Sequence, residues 1–137
     1  MPEPAVLTWL RLARVFQKID RASLAHLRSW KLNVAQFDVL AQVGSTLGIT
    51  QQELADRLLV TKGNISQLID RMEQHGLLTR QQEGRTNILS LTPAGQQLYQ
   101  QVVPAQEALI TFLFSTLSKQ ELEQLRAVLR KLDHDLG

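Results

Sequence analysis

Apolar residues recur every three to four positions along most of the chain, and the places where that rhythm breaks divide it into segments. From Ala5 to about Trp30 the series Trp9, Leu12, Ala13, Phe16 and Ile19, continuing through Leu24 and Leu27, predicts one long amphipathic helix. At roughly 1.5 Å per residue it approaches about 40 Å, more than a compact domain of this size needs for its own core. A second chain can cover the surplus. Asn33 and Gln36 then have the spacing of a capping box, opening a helix whose inner side is Val34, Phe37, Leu40 and Val43. Gly44 or Gly48 ends it, and Ile49 can add a very short strand before the next helix.

The stretch from Thr50 to Gly76 organises the rest. Thr50 with Glu53 is a second capping box, Leu54, Ala55 and Leu58 form an inner face, and Leu59-Val60 makes a tight turn. Thr61 caps a following helix with apolar positions Ile65, Leu68, Ile69 and Met72, and Gly76 closes it as a left-handed cap. A helix pair of this size is the shape of a DNA reader. The remaining face of its second helix carries Lys62, Gly63, Asn64, Ser66, Gln67 and Arg71, small or hydrogen-bonding residues gathered toward the amino-terminal end. Asn and Gln can pair with adenine, Ser with any base edge, and Lys or Arg with guanine or phosphate. An ordinary solvated helix face has the same composition, so this helix alone fits both readings.

Beyond Gly76 the period changes to that of strands. Leu77 to Gln81 and Ile88 to Leu91 flank Glu83-Gly84-Arg85-Thr86, which predicts a hairpin with Gly84 in its tip. A hairpin directly after a polar-faced second helix is the wing of a winged helix-turn-helix, and Arg85 at its tip can reach a minor groove or a phosphate. Thr92-Pro93 starts a long helix toward Ser115 with Pro104 inside it, and Ser118 with Glu121 caps a last helix. The last stripe, Leu122, Leu125, Leu129, Leu132 and Leu136, is a narrow seam of the kind used between helices. The fold class is therefore mostly α with a small β-hairpin. Residues 1–30 form an N-terminal dimerisation helix, 31–91 a winged helix-turn-helix lobe, and 92–137 C-terminal dimerisation helices.

Charge does not advertise a nucleic-acid binder. The lobe carries six basic residues (Lys31, Arg57, Lys62, Arg71, Arg80, Arg85) and six acidic ones (Asp38, Glu53, Asp56, Asp70, Glu73, Glu83), so any positive patch must be local. With no cysteine there is no disulfide, thiolate metal site or thiol switch. No apolar run approaches the roughly 18 residues of a membrane span, and Met1-Pro2-Glu3 lacks a signal-peptide start, so a cytoplasmic protein without a membrane partner is expected.

At this point the residues resemble the MarR-type regulators, named for multiple antibiotic resistance. The likeness is specific from about Leu32 to Gly95, carried by QQELADRLLVTKGNISQLIDRMEQHGLLTR and, after the hairpin, LSLTPAGQQL. The resemblance implies an intertwined homodimer, usually a repressor near its own gene, released by small and often aromatic or phenolic ligands. It further implies that Lys62, Asn64, Ser66, Gln67 and Arg71 serve the recognition helix, Arg85 the wing, and Gln51 and Gln52 the backbone near the preceding helix; Thr61, the cap of the second helix, joins them as a DNA-binding candidate. The wing departs from the family pattern: it is a few residues short, and Glu83-Gly84-Arg85 stands where Asp-x-Arg is common. The lack of cysteine departs from the peroxide-sensing branch.

Trp9, Phe16, Trp30 and Phe37 are the candidates for lining a ligand cleft, although aromatic residues at helical spacing are more often core. An enzyme has little support: His26, His75 and His134 lie in separate segments, and neither a phosphate loop nor a Ser, His and carboxylate set is present. No cofactor is implied, and a metal site built on His134 has less support still. The stronger rival is a winged helix used for protein assembly without DNA, which the neutral lobe favours slightly.

Overall fold

The computed structural model describes residues 3–137. Met1 and Pro2, on which the expectation of no signal peptide partly rests, lie outside the described residues. The order is α1 (Pro4–Leu27), a 3₁₀ turn (Arg28–Trp30), α2 (Val34–Ser45), α3 (Gln51–Leu58), α4 (Lys62–Gln74), β1 (Leu78–Glu83), β2 (Thr86–Leu91), α5 (Pro93–Leu113) and α6 (Lys119–Asp135). This is the mostly helical, single-hairpin architecture that the periodicity predicts. Contacts divide the chain into two compact units, Met1–Gln106 and Glu107–Gly137.

Side-chain caps fix nearly every helix start where the sequence places them. Asn33 accepts the Gln36 N–H at 2.8 Å while the Gln36 side chain accepts the Asn33 N–H at 2.9 Å. Thr50 with Glu53 and Ser118 with Glu121 repeat that reciprocal pattern. Each satisfies two backbone donors that a helix end leaves without partners. Pro104 sits inside α5 without ending it.

Of the two glycines that the sequence offers as the end of α2, Gly48 is the one that turns the chain. Gly44 lies within α2, because the ring of Tyr99 from α5 occupies the place a Cβ would take. Gly48, at φ 74°, makes the turn instead. Similarly, β1 begins at Leu78 and not Leu77, since the Leu77 N–H is used to finish α4 by bonding the Met72 carbonyl at 3.0 Å.

The first unit holds the core. Leu40, Ile49, Leu54, Ile69, Leu78 and Leu89 are fully buried, joining α2, α3, α4 and the base of the hairpin into one cluster. Each such side chain contributes roughly 1.5 to 3 kcal/mol by leaving water. The short third strand foreseen at Ile49 is a single bridge, Thr50 to Ile88, with the Leu89 N–H donating to the Ile49 carbonyl at 3.0 Å. That bridge ties the start of α3 to β2. At the other end of the core a buried polar chain links α1 to α5: Gln106 Nε2 donates to Ser23 Oγ at 2.9 Å, and His26 Nδ1 meets Gln106 Oε1 at 3.0 Å.

The outer half of α1 buries nothing of itself. Leu7, Trp9, Leu10, Val15 and Phe16 are all exposed there. In the second unit, α6 and its cap likewise expose Leu125, Val128, Leu129, Leu132 and Leu136, and all of these but Val128 line, with Phe114 and Leu122, a groove of about 890 Å³.

Candidate nucleic-acid interface

α3 and α4 are held as a pair by how each one ends. Both close with the same pair of bonds, one to the residue three back and one to the residue five back. For α4 these are Gly76 N–H to Glu73 and Leu77 N–H to Met72; for α3 they are Leu59 N–H to Asp56 and Val60 N–H to Ala55. This pattern needs a left-handed residue at its corner, and Gly76 (φ 75°) and Leu59 (φ 54°) occupy it. Arg57 adds a clamp, donating to Thr46 Oγ1 at 2.9 Å and Gln42 Oε1 at 3.2 Å, which fixes α3 against the end of α2.

α4 buries Ile65, Ile69 and Met72 and leaves Lys62, Gly63, Asn64, Gln67 and Arg71 exposed, with Ser66 half-buried. Thr61 caps the helix, its Oγ1 accepting the Asn64 N–H at 3.1 Å, so the hydroxyl proton remains free to donate. The amino-terminal end of α4 also presents the positive end of the helix dipole.

The hairpin closes with a two-residue loop, Glu83 pairing with Thr86 and Gly84 (φ 61°) in first position. Arg85 is exposed at this tip. It lines a hollow of about 180 Å³ together with Gln51, Gln52, Lys62, Thr86 and Asn87. Wing tip, α3 start and α4 start thus meet at one place. A second groove, of about 320 Å³, runs along α4 and gathers Asn64, Gln67 and Arg71 with Ala35 of α2. Of the residues singled out in the sequence, Gln51, Gln52, Lys62 and Arg85 share the first hollow, and Asn64, Gln67 and Arg71 the second.

The aromatic candidates for a ligand cleft are not gathered within the chain. Trp30 and Phe37 lie partly buried against the core, Trp30 edge-on to His26 with ring centroids 4.9 Å apart. Trp9 and Phe16 are 63% and 65% exposed on the outer part of α1. At about 1.5 Å of rise per residue, Trp9 is roughly 27 Å along the helix from Leu27. His26 and His134 fall in the last turns of their helices and His75 caps α4. Among the described residues no group of three or more His, Asp or Glu is placed to hold a metal ion, and no helix is long and apolar enough to cross a membrane.

Two residues of this surface escaped the reading of the sequence. Arg80 of β1 donates through Nη2 to Asp70 Oδ1 of α4, the one ion pair among the described residues. The available signal was strand alternation: Arg80 lies two residues after buried Leu78 and opposite buried Leu89, a charge on the inward face of a hairpin.

A family model described as the MarR family matches residues 30–86. An HTH-type transcriptional regulator of Bacillus cereus is 35% identical over 127 residues, covering 92% of this chain and 86% of the relative. The chain belongs to the MarR family, and as such it is a DNA-binding transcriptional regulator and not an enzyme. Its fold superposes on that of AbsC, a MarR family regulator from Streptomyces coelicolor, with a TM-score of 0.91 at 20% identity, covering 99% and 96% of the two chains. A mutant MarR from E. coli complexed with operator DNA is 28% identical with a TM-score of 0.79, covering 93% of this chain and 95% of that one.

Proposed function

We propose that this protein is a homodimeric repressor that reads a palindromic operator and leaves it when a small aromatic or phenolic ligand binds. The observation that carries the reading is the convergence of Lys62, Arg85, Gln51 and Gln52 on one hollow, beside the exposed row Asn64, Gln67 and Arg71. In this reading the amino-terminal part of α4 is a recognition helix in the major groove, making base contacts through Asn64, Ser66 and Gln67. Thr61, Lys62, Arg71, Gln51 and Gln52 hold phosphates or base edges around it, and Arg85 reaches the flanking backbone.

A dimer is supported by the bare apolar side of α1 and by the apolar groove of α6, each of which is costly to leave in water. Two-fold pairing would set the recognition helices about 34 Å apart, one turn of DNA. Trp9 and Phe16 of one chain could then join Trp30 and Phe37 of the other around a ligand. Such a ligand needs to favour the released spacing of the two helices by only a few kcal/mol to empty the operator. Occupancy of the promoter would be the means of repression, and a cytoplasmic site of action follows from that role.

Fluorescence anisotropy on the duplex upstream of its own gene, against scrambled duplex and across a salt series, tests the reading, with the mass in solution measured alongside. Selective binding by a dimer, weakening linearly in log salt by about 0.9 per phosphate contacted, is the expected result. Benzoate and hydroxybenzoates added to the complex test release. A folded protein with no preference for any upstream fragment would favour the assembly reading, which the equal counts of acidic and basic residues in 31–91 support.

A further inference from the structure

We propose that Arg80 is a masking residue: it neutralises Asp70, a carboxylate that α4 carries on its outward face, so that this face can approach a polyanion. The inference rests on the reading of that face as the one that meets DNA. Asp70 follows Gln67 by three residues and Gly63 by seven, which places all three on the side of α4 opposite Ile65, Ile69 and Met72. Its side chain is 55% exposed. Left alone, it would meet phosphate oxygens with like charge beside the side chains proposed to read bases.

Arg80 is built to face Asp70 and little else. Its side chain is only 20% exposed, and its Nε is enclosed with no hydrogen-bond partner. The guanidinium therefore offers little surface to a phosphate, while its Nη2 holds the Asp70 carboxylate. The strand keeps it there, since Leu78 and Leu89 on the same face of the hairpin are buried. With Asp70 more than half exposed, solvent screens the pair and its contribution to folding stability is modest. What this pair changes is the charge presented outward: it removes one anion from a surface where Lys62, Arg71 and Arg85 have no carboxylate partner among the described residues. A lobe with six cations and six anions can in this way show a locally positive face.

The test compares four variants on operator duplex and on a heparin column, with circular dichroism to establish folding. Arg80→Met should lower duplex affinity about tenfold and elute from heparin at lower salt. Asp70→Asn alone should bind at least as tightly as the parent, and because its side chain is exposed it should fold in any case. Asp70→Asn combined with Arg80→Met should return to within about threefold of the parent, the mark of two coupled residues. Glu123→Gln on α6 combined with Arg80→Met restores the same net charge at a remote place and should stay weak. Rescue by both double variants would mean bulk charge alone, and rescue by neither would mean that Arg80 contacts the anion itself; either result overturns masking. So does a tenfold loss in Asp70→Asn or no loss in Arg80→Met. Failure of the DNA reading looks different: the parent would treat operator and scrambled duplex alike, while the heparin series still reports whether Asp70 is masked.

Discussion

The Cα of Gly95 rests against the carbonyl oxygen of Leu77, so closely that a Cβ at position 95 would overlap that oxygen. The same oxygen accepts the Thr92 N–H at 3.1 Å, and Thr92 Oγ1 both accepts the Gly95 N–H at 3.0 Å and donates to the Gly76 carbonyl. The end of α4 and the start of α5 are thus tied together under the hairpin. Glycine to alanine in a helix ordinarily gains about 1 kcal/mol. Here the obstruction is backbone, which cannot rotate away, and Gly95→Ala should instead cost about 1 to 3 kcal/mol. Urea titration followed by circular dichroism reads this directly; a midpoint at or above the parent's would mean that the tie yields freely.

Leu59 gives the opposite prediction. It occupies the left-handed corner of α3 that Gly76 occupies in α4, and at 92% exposure it recovers almost nothing by burial. A side chain in that conformation costs roughly 1 to 2 kcal/mol, while the extra freedom of unfolded glycine costs about 0.5 to 1. Leu59→Gly should therefore stabilise the fold by roughly 0.5 to 1 kcal/mol. A loss of stability would show that Leu59 is held by contacts outside this chain.

Burial pushes the Asp38 carboxyl above its ordinary value of 3.8, with the nearby charge of Asp20 adding to the effect. The folded chain therefore holds this proton more tightly than the unfolded chain. The stability that follows is fully present below 3.8 and is lost as pH rises through the raised value, leaving a fixed penalty at neutral pH. Asp38→Asn should melt at higher temperature than the parent near pH 7, and the difference should vanish on acidification toward the unperturbed carboxylate range. A difference independent of pH would assign the effect to packing instead.

The parts of the fold that were legible in the sequence are those set by residues close together in the chain. Asn33 and Gln36, Thr50 and Glu53, and Ser118 and Glu121 each declare a helix start within three residues, and each forms as read. The choice between Gly44 and Gly48 as the end of α2 is not legible locally, because the reason for Gly44, the ring of Tyr99, is more than fifty residues away. The Asp70–Arg80 pair stayed hidden for a similar reason, since ten residues and a change from helix to strand separate its members. The outward row of α4 follows from periodicity, but the meeting of Arg85 with Lys62, Gln51 and Gln52 depends on how the hairpin folds back.

On the proposed interface that meeting separates two kinds of contact. Arg85 sits exposed at a two-residue tip and offers a point of charge, the chemistry of a phosphate contact that positions without reading sequence. Gln67 is fixed on a helix, exposed between Asn64 and Arg71, and its amide can pair with both hydrogen-bonding groups of an adenine edge. Arg85→Ala should weaken binding to operator and scrambled duplex alike, and reduce the slope of log affinity against log salt by about 1. Gln67→Ala should leave the salt slope unchanged and relax preference at one base pair in each half-site, by about 1 to 3 kcal/mol. Competition binding against a set of operators substituted at each position distinguishes the two. A Gln67→Ala variant with unaltered preference at every position would remove Gln67 from the reading face, and an unchanged salt slope in Arg85→Ala would mean that the short wing does not reach the phosphates.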